Sequence, residues 1–151
     1  MHCTRLLAGT GLWLLMTGCT AAIDLPDGYV KLRDAGPYDL KAVSANGTVI
    51  ALTSRANQHD ESDLAFWSRA VEYQKVDNDG MKLAGREDLK SDGGLDGVLF
   101  NFETGQGNGR LTYLVAIYVT PRQIHTIEAG GPADKIEADT DKLRAAMRSI
   151  R

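Results

Sequence analysis

The residues of this 151-residue chain that could do chemistry are two cysteines, three histidines and scattered carboxylates. Cys3 and Cys19 both fall in the first twenty positions, so no later thiol exists for a disulfide, a thiolate nucleophile or a zinc site. Beyond that segment the histidines are His59 and His125. No serine stands in a Gly-x-Ser-x-Gly turn, so a catalytic triad would require one of these histidines to meet a serine and an acid across the fold. His59 precedes a helix in a polar stretch with Asp60, Glu61 and Asp63, and reads as solvated. That group lacks the His-x-x-x-His or Cys spacing of a zinc site. His125 follows Ile124 in an alternating strand and reads as a surface or half-buried strand residue.

Three further patterns reduce to turns and solvated faces. Asp77-Asn78-Asp79-Gly80 invites a calcium reading. Aligning Gly80 with the glycine of a twelve-residue calcium loop puts Lys75 at the first ligand position and Arg86 at the twelfth, so the segment reads as a turn between helix and strand. Gly105, Gly107 and Gly109 are followed by no lysine in phosphate-loop spacing and join two strands. Glu72, Glu87, Glu103 and Glu128 could act as glycosidase carboxylates only if the fold brought two of them within roughly 5 to 9 Å. The sequence therefore assigns no catalytic residue, no metal and no cofactor. With 43% hydrophobic and 25% charged residues the composition is that of an ordinary globular domain. The net charge of −3 and the scattered lysines and arginines leave no footprint for nucleic acid.

The first twenty residues have a different organisation. Arg5 precedes an apolar run from Leu6 to Met16, the layout of a signal peptide. Such a run makes a helix of about 15 Å, half of the roughly 30 Å hydrocarbon core. It ends in Met16-Thr17-Gly18-Cys19, which resembles the lipobox of bacterial lipoproteins, with Met16 where leucine is usual. The resemblance implies cleavage after Gly18, a diacylglyceryl group on the Cys19 sulfur and acylation of the new amino group. Two or more acyl chains hold a protein stably at a bilayer. Loss of residues 1–18 would remove Arg5 alone and leave a formal charge of −4. Thr20 rather than aspartate follows the cysteine, and under the sorting rule of enteric bacteria this points to the outer membrane, facing the periplasm. The alternative is an ordinary secretory signal with a chance cysteine.

The remaining elements are those that would position any site. Residues 19–37 hold Pro26, Asp27, Gly28, Gly36 and Pro37 and read as lipidated cysteine plus tether, with one short strand around Tyr29–Leu32. Residues 38–151 read as a single domain. Asn46-Gly47 between two β-rich runs predicts a two-residue hairpin in which both turn residues take positive φ. Residues 60–76 predict a helix capped by Asp60, with Leu64, Trp67 and Val71 on its apolar stripe, widened by Phe66, Ala70 and Tyr73. Four strands follow, at 81–89, 97–104, 110–120 and 123–129, the third apolar on both phases and hence covered on both sides. A closing helix begins at Gly131-Pro132, with acids early, Arg144, Arg148 and Arg151 late, and Ile136, Thr140, Leu143, Met147 and Ile150 on one stripe.

This order predicts an α+β fold: a mostly antiparallel sheet of five to six strands packed with two helices. A hairpin, a Trp-bearing middle helix, and a closing helix after the strand ending Glu128-Ala129-Gly130-Gly131 resemble the PsbP-like superfamily, which includes the bacterial lipoprotein DcrB. The resemblance spans about Tyr38 to Arg151 and implies a non-enzymatic domain that assists a protein complex or an envelope process. The functional expectation is a periplasmic lipoprotein held by lipid on Cys19, binding an envelope protein of unknown identity. The alternatives are a carrier of a small apolar ligand, enclosed by the sheet and the Trp67 helix, and a hydrolase acting on envelope polymers.

Overall fold

The computed structural model describes residues 21–58 and 62–151. Cys3, Cys19, the signal-like segment, His59, Asp60 and Glu61 lie outside the described residues.

Seven strands form one sheet: β1 (Tyr29–Lys31), β2 (Leu40–Ser44), β3 (Val49–Ala56), β4 (Lys82–Lys90), β5 (Asp96–Thr104), β6 (Leu111–Val119) and β7 (Gln123–Pro132). The α-helices are α1 (Leu64–Tyr73), continued by a π-helical turn at Gln74–Asn78, and α2 (Ala133–Arg148). The strand order is β1-β2-β3-β7-β6-β5-β4, and each neighbouring pair is antiparallel. The class is the α+β one expected, but the sheet has seven strands rather than five to six, because Tyr29–Lys31 pairs with Ala42–Ser44. The two helices lie on opposite faces, each over its own apolar cluster.

β6 shows why both of its phases are apolar. Leu114, Ala116 and Tyr118 join the cluster under α2, while Val115 and Ile117 join the cluster under α1. β5 divides unequally: Val98, Phe100 and Phe102 face α1, with the two phenyl rings stacked at 5.6 Å, and Leu99 faces α2. α2 buries Ile136, Leu143 and Met147 of the expected stripe together with Ala133 and Ala146, while Thr140 is half-buried and Ile150 is buried just past the helix end. Each large side chain so buried contributes roughly 1.5 to 3 kcal/mol relative to exposure. Tyr118 closes this layer by donating its hydroxyl to the Met147 carbonyl at 3.1 Å, and burial pushes its phenol up to about 12.

Local signals account for three departures from expectation. The β2–β3 turn is a three-residue loop, because only Gly47 has positive φ (90°). Gly47 N–H donates to Ser44 O at 3.2 Å and Ser44 N–H to Thr48 O at 2.9 Å, a type I turn followed by a glycine bulge. Asn46 keeps ordinary φ and uses its side chain, whose Oδ1 accepts from Thr48 N–H at 3.1 Å. α1 is capped by Asp63, whose Oδ1 accepts from Phe66 N–H at 2.8 Å, so the helix begins later than a cap at Asp60 would set. Its stripe is also narrower than expected. Leu64, Trp67 and Val71 meet the sheet, whereas Phe66 and Tyr73 are 47% and 62% exposed.

The third departure is residues 21–37, expected to be tether. Ala22 and Arg151 exchange backbone hydrogen bonds of 2.9 and 3.1 Å, and Asp24 N–H donates to Ser149 Oγ at 2.7 Å. Ile23 is buried, with Ala21 and Leu25 packed beside it. Tyr29, at the far end of this strap, hydrogen-bonds Thr48 Oγ1 at 2.6 Å and Asp139 at 3.1 Å. The strap thus runs from the C-terminal end of α2 to Asp139 in its middle and is fastened at both ends. Proline and glycine content suggested a linker, but the aliphatic residues between them found core to fill.

Candidate functional site

Three places gather chemically capable side chains. The first pairs Ser54 with His125. β3 and β7 align so that these residues stand opposite one another, and Ser54 Oγ lies 2.8 Å from His125 Nδ1. Asp39 is close, but its carboxylate accepts from the Ser54 backbone N–H at 2.5 Å rather than from the imidazole. Burial lowers the His125 pKa, and the Asp39 charge opposes that through space. His125 is 7% exposed, more buried than its strand pattern indicated. Neither it nor Ser54 lines any of the three hollows described below. A nucleophile must reach a substrate carbonyl beside oxyanion donors, and a serine set on a sheet face outside these hollows is not placed to do so.

The second place is a polar cleft of about 500 Å³ between α2 and strands β4 to β6. Asn101, Glu103, Arg110, Thr112, Glu137 and Arg144 line it. Arg144 forks onto Glu87, with one arm at 2.9 Å, and holds that carboxyl below its ordinary range. Asn101 Oδ1 is buried with no partner among the described residues. Two of the glutamates considered as carboxylate pairs, Glu87 and Glu103, share this cleft. Glu87 stands opposite Leu99, four residues along β5 from Glu103, which is about 13 Å at the rise of a strand. Glu72 is on the other side, 3.3 Å from Arg86.

The third place is a mostly apolar trough of about 360 Å³ beside α1. α1 packs mainly on β5 and β6, and the trough lies between it and the neighbouring strands β7 and β3. The floor is Val115, Ile117, Ile124 and Thr126, and the wall is Trp67, Ala70 and Val71. At one end Lys75 lies 3.9 Å from Glu128, 3.2 Å from Asp79 and 4.6 Å above the Tyr113 ring. Burial and the Glu128 charge push the Tyr113 phenol far above its usual range, so it stays neutral. At the other end stand Arg55 and Ala56. Trp67 Nε1 is buried without an acceptor among the described residues. A second hollow of about 300 Å³, floored by Val49, Ala51 and Gly130, continues the trough beyond Glu128.

Reading the sequence singled out Trp67 and the sheet beneath it but not Arg55, Thr126 or Glu128. Their signal was present: Ile124, Thr126 and Glu128 occupy one phase of β7, a face too polar to be sealed core. Asp77 and Asn78 end a π-helical turn that continues α1, and the reversal is confined to Asp79-Gly80, with Gly80 at φ +68° and Asp79 held by Lys75 and Gln74. Among the described residues no group of three or more metal-ligating side chains converges, and no helix is long and apolar enough to cross a membrane.

No family model matches the chain, and no curated protein resembles it in sequence. Solved structures share its fold. The solution structure of cyanobacterial PsbP (CyanoP) from Synechocystis aligns with a TM-score of 0.61 at 12% identity, over 95% of this chain and 97% of that one. LpqN, involved in cell envelope biogenesis in Mycobacterium tuberculosis, aligns at 0.64 and 10% identity over 87% and 82% of the two chains. A Pseudomonas aeruginosa protein of unknown function, PA94, aligns at 0.53 and 17% identity over 89% and 85%. The domain is thus PsbP-like in fold.

Proposed function

We propose that this chain is a bacterial envelope lipoprotein, cut after Gly18 and lipidated on Cys19, whose PsbP-like domain is a non-enzymatic module that binds and assists an envelope complex. The observation that carries the reading is the lipobox-like Met16-Thr17-Gly18-Cys19 directly ahead of a folded strap that starts at Ala21. The envelope role stated for LpqN supports it by analogy of fold. The Ser54–His125 pair, set outside the three hollows, weighs against the hydrolase reading. With Thr20 after the cysteine, the domain would face the periplasm from the outer membrane.

Metabolic labelling with radioactive palmitate tests the anchor. Label should enter the wild-type protein, which should sediment with membranes, and Cys19→Ala should abolish both. An unlabelled wild-type protein overturns the reading. The carrier alternative is favoured by one observation, the trough beside Trp67.

A further inference from the structure

We propose that the trough between α1 and β7 is a binding site for a single acyl chain, entering from the end of the domain that faces the bilayer, with its anionic or ester head at Arg55. The direction of entry rests on the lipid anchor at Cys19; the binding itself does not.

The geometry sets the shape of the ligand. From Ile124 to Glu128 the trough follows four residues of β7, about 13 Å at the rise of a strand. Its volume of about 360 Å³ is at the small end for ligand sites. It is long, narrow and walled by Trp67, Ala70 and Val71, which suits one flexible hydrocarbon chain. Charge and hydrogen bonding set the polar end. Arg55 makes no ion pair with a described residue and lies on the α1 face of the sheet, opposite Ile124. Arg55 is the cation at this end for an anionic or ester head, while Trp67 Nε1 is a buried donor with no acceptor among the described residues. The far end carries Lys75 already engaged by Asp79 and Glu128, which closes the trough to a second charge.

Topology then orients the site. Ala22 is bonded to Arg151 just past the end of α2, and Tyr118 near the end of β6 bonds Met147 near the end of α2. Ala56, Ile124 and Val119 are at this same end of the sheet, since Val119 pairs with Ile124 and Ala56 with Gln123. The mouth of the trough and the first described residue therefore share one end of the domain. Ala21 is two residues from Cys19. The exposed Phe66 ring, packed edge-on against Trp67 at 5.3 Å, stands at that end in the first turn of α1.

Fluorescence tests the proposal directly. The chain has two tryptophans, Trp13 and Trp67, and cleavage before Cys19 leaves Trp67 alone. The purified mature protein should show saturable quenching of Trp67 by dibrominated stearate, relieved by unbrominated palmitate. Ala70→Phe, which fills the wall, should weaken binding at least about tenfold. Arg55→Glu, an exposed change that spares the core, should weaken it several-fold. Vesicles of dibrominated phosphatidylcholine form a second arm: quenching there, but not by the free acid, identifies a bilayer lipid as the source of the chain. Absence of saturable quenching in both arms overturns the proposal, as does quenching that neither substitution weakens. Quenching in a protein that takes no palmitate label would retain the site and discard the anchor.

Discussion

Replacing Ile23 by alanine measures whether the domain begins at the strap or only near Tyr38. Ile23 is 5% exposed and belongs to the cluster under α2. Truncating a buried isoleucine costs about 2 to 5 kcal/mol, made up of lost transfer energy and the cavity left behind. A domain of this size has a total stability of about 5 to 15 kcal/mol, so the loss is a large fraction. At about 3 °C per kcal/mol the midpoint should fall by about 6 to 15 °C. The assay is thermal unfolding by circular dichroism of the mature chain carrying Cys19→Ala. Val30→Ala is the control, because Val30 is 68% exposed on an edge strand and should move the midpoint little. A fall of less than about 2 °C for Ile23→Ala would refute the reasoning and return residues 21–37 to the role of a tether. The outcome bears on function. With the strap fastened, only Thr20 separates Cys19 from the folded domain, a reach of about 7 Å, whereas nineteen tether residues would span up to about 60 Å.

Two other outcomes follow from the same packing. Burial lowers the His125 pKa, so the unfolded chain binds a proton more readily than the folded one. Stability should therefore fall as pH drops below about 6.5, and His125→Gln should flatten that slope in denaturant titrations run from pH 7 to pH 5. Gly97 lies beneath Tyr118, where an added Cβ would meet ring carbons at 2.6 Å and the Ile117 carbonyl oxygen at 2.7 Å. Gly97→Ala should cost about 1 to 3 kcal/mol by chemical denaturation, while Gly109→Ala, with open space around it, should cost less than about 0.5 kcal/mol.

By itself the sequence determined the elements and their burial. The alternation in β5, the double-sided apolar run of β6 and the stripe of α2 each name a periodicity, and periodicity fixes which side chains share a face. Asp63 as cap of α1 and Gly47 as the positive-φ residue of its hairpin differ from expectation by a few positions, since several polar residues compete for each role. Pro26 and Gly28 mark a chain that cannot be regular, and irregular chain is bonded or free according to what lies beside it. Only the tertiary structure decided that Ile23 joins the cluster under α2, that Ser54 finds His125, and that α1 packs mainly on β5 and β6 with a trough between it and β7. Those facts depend on strand order, register and contacts between residues up to 129 positions apart. A hydrophobic pattern says that a face will be buried but carries no address for its partner, because burial of apolar surface is non-directional.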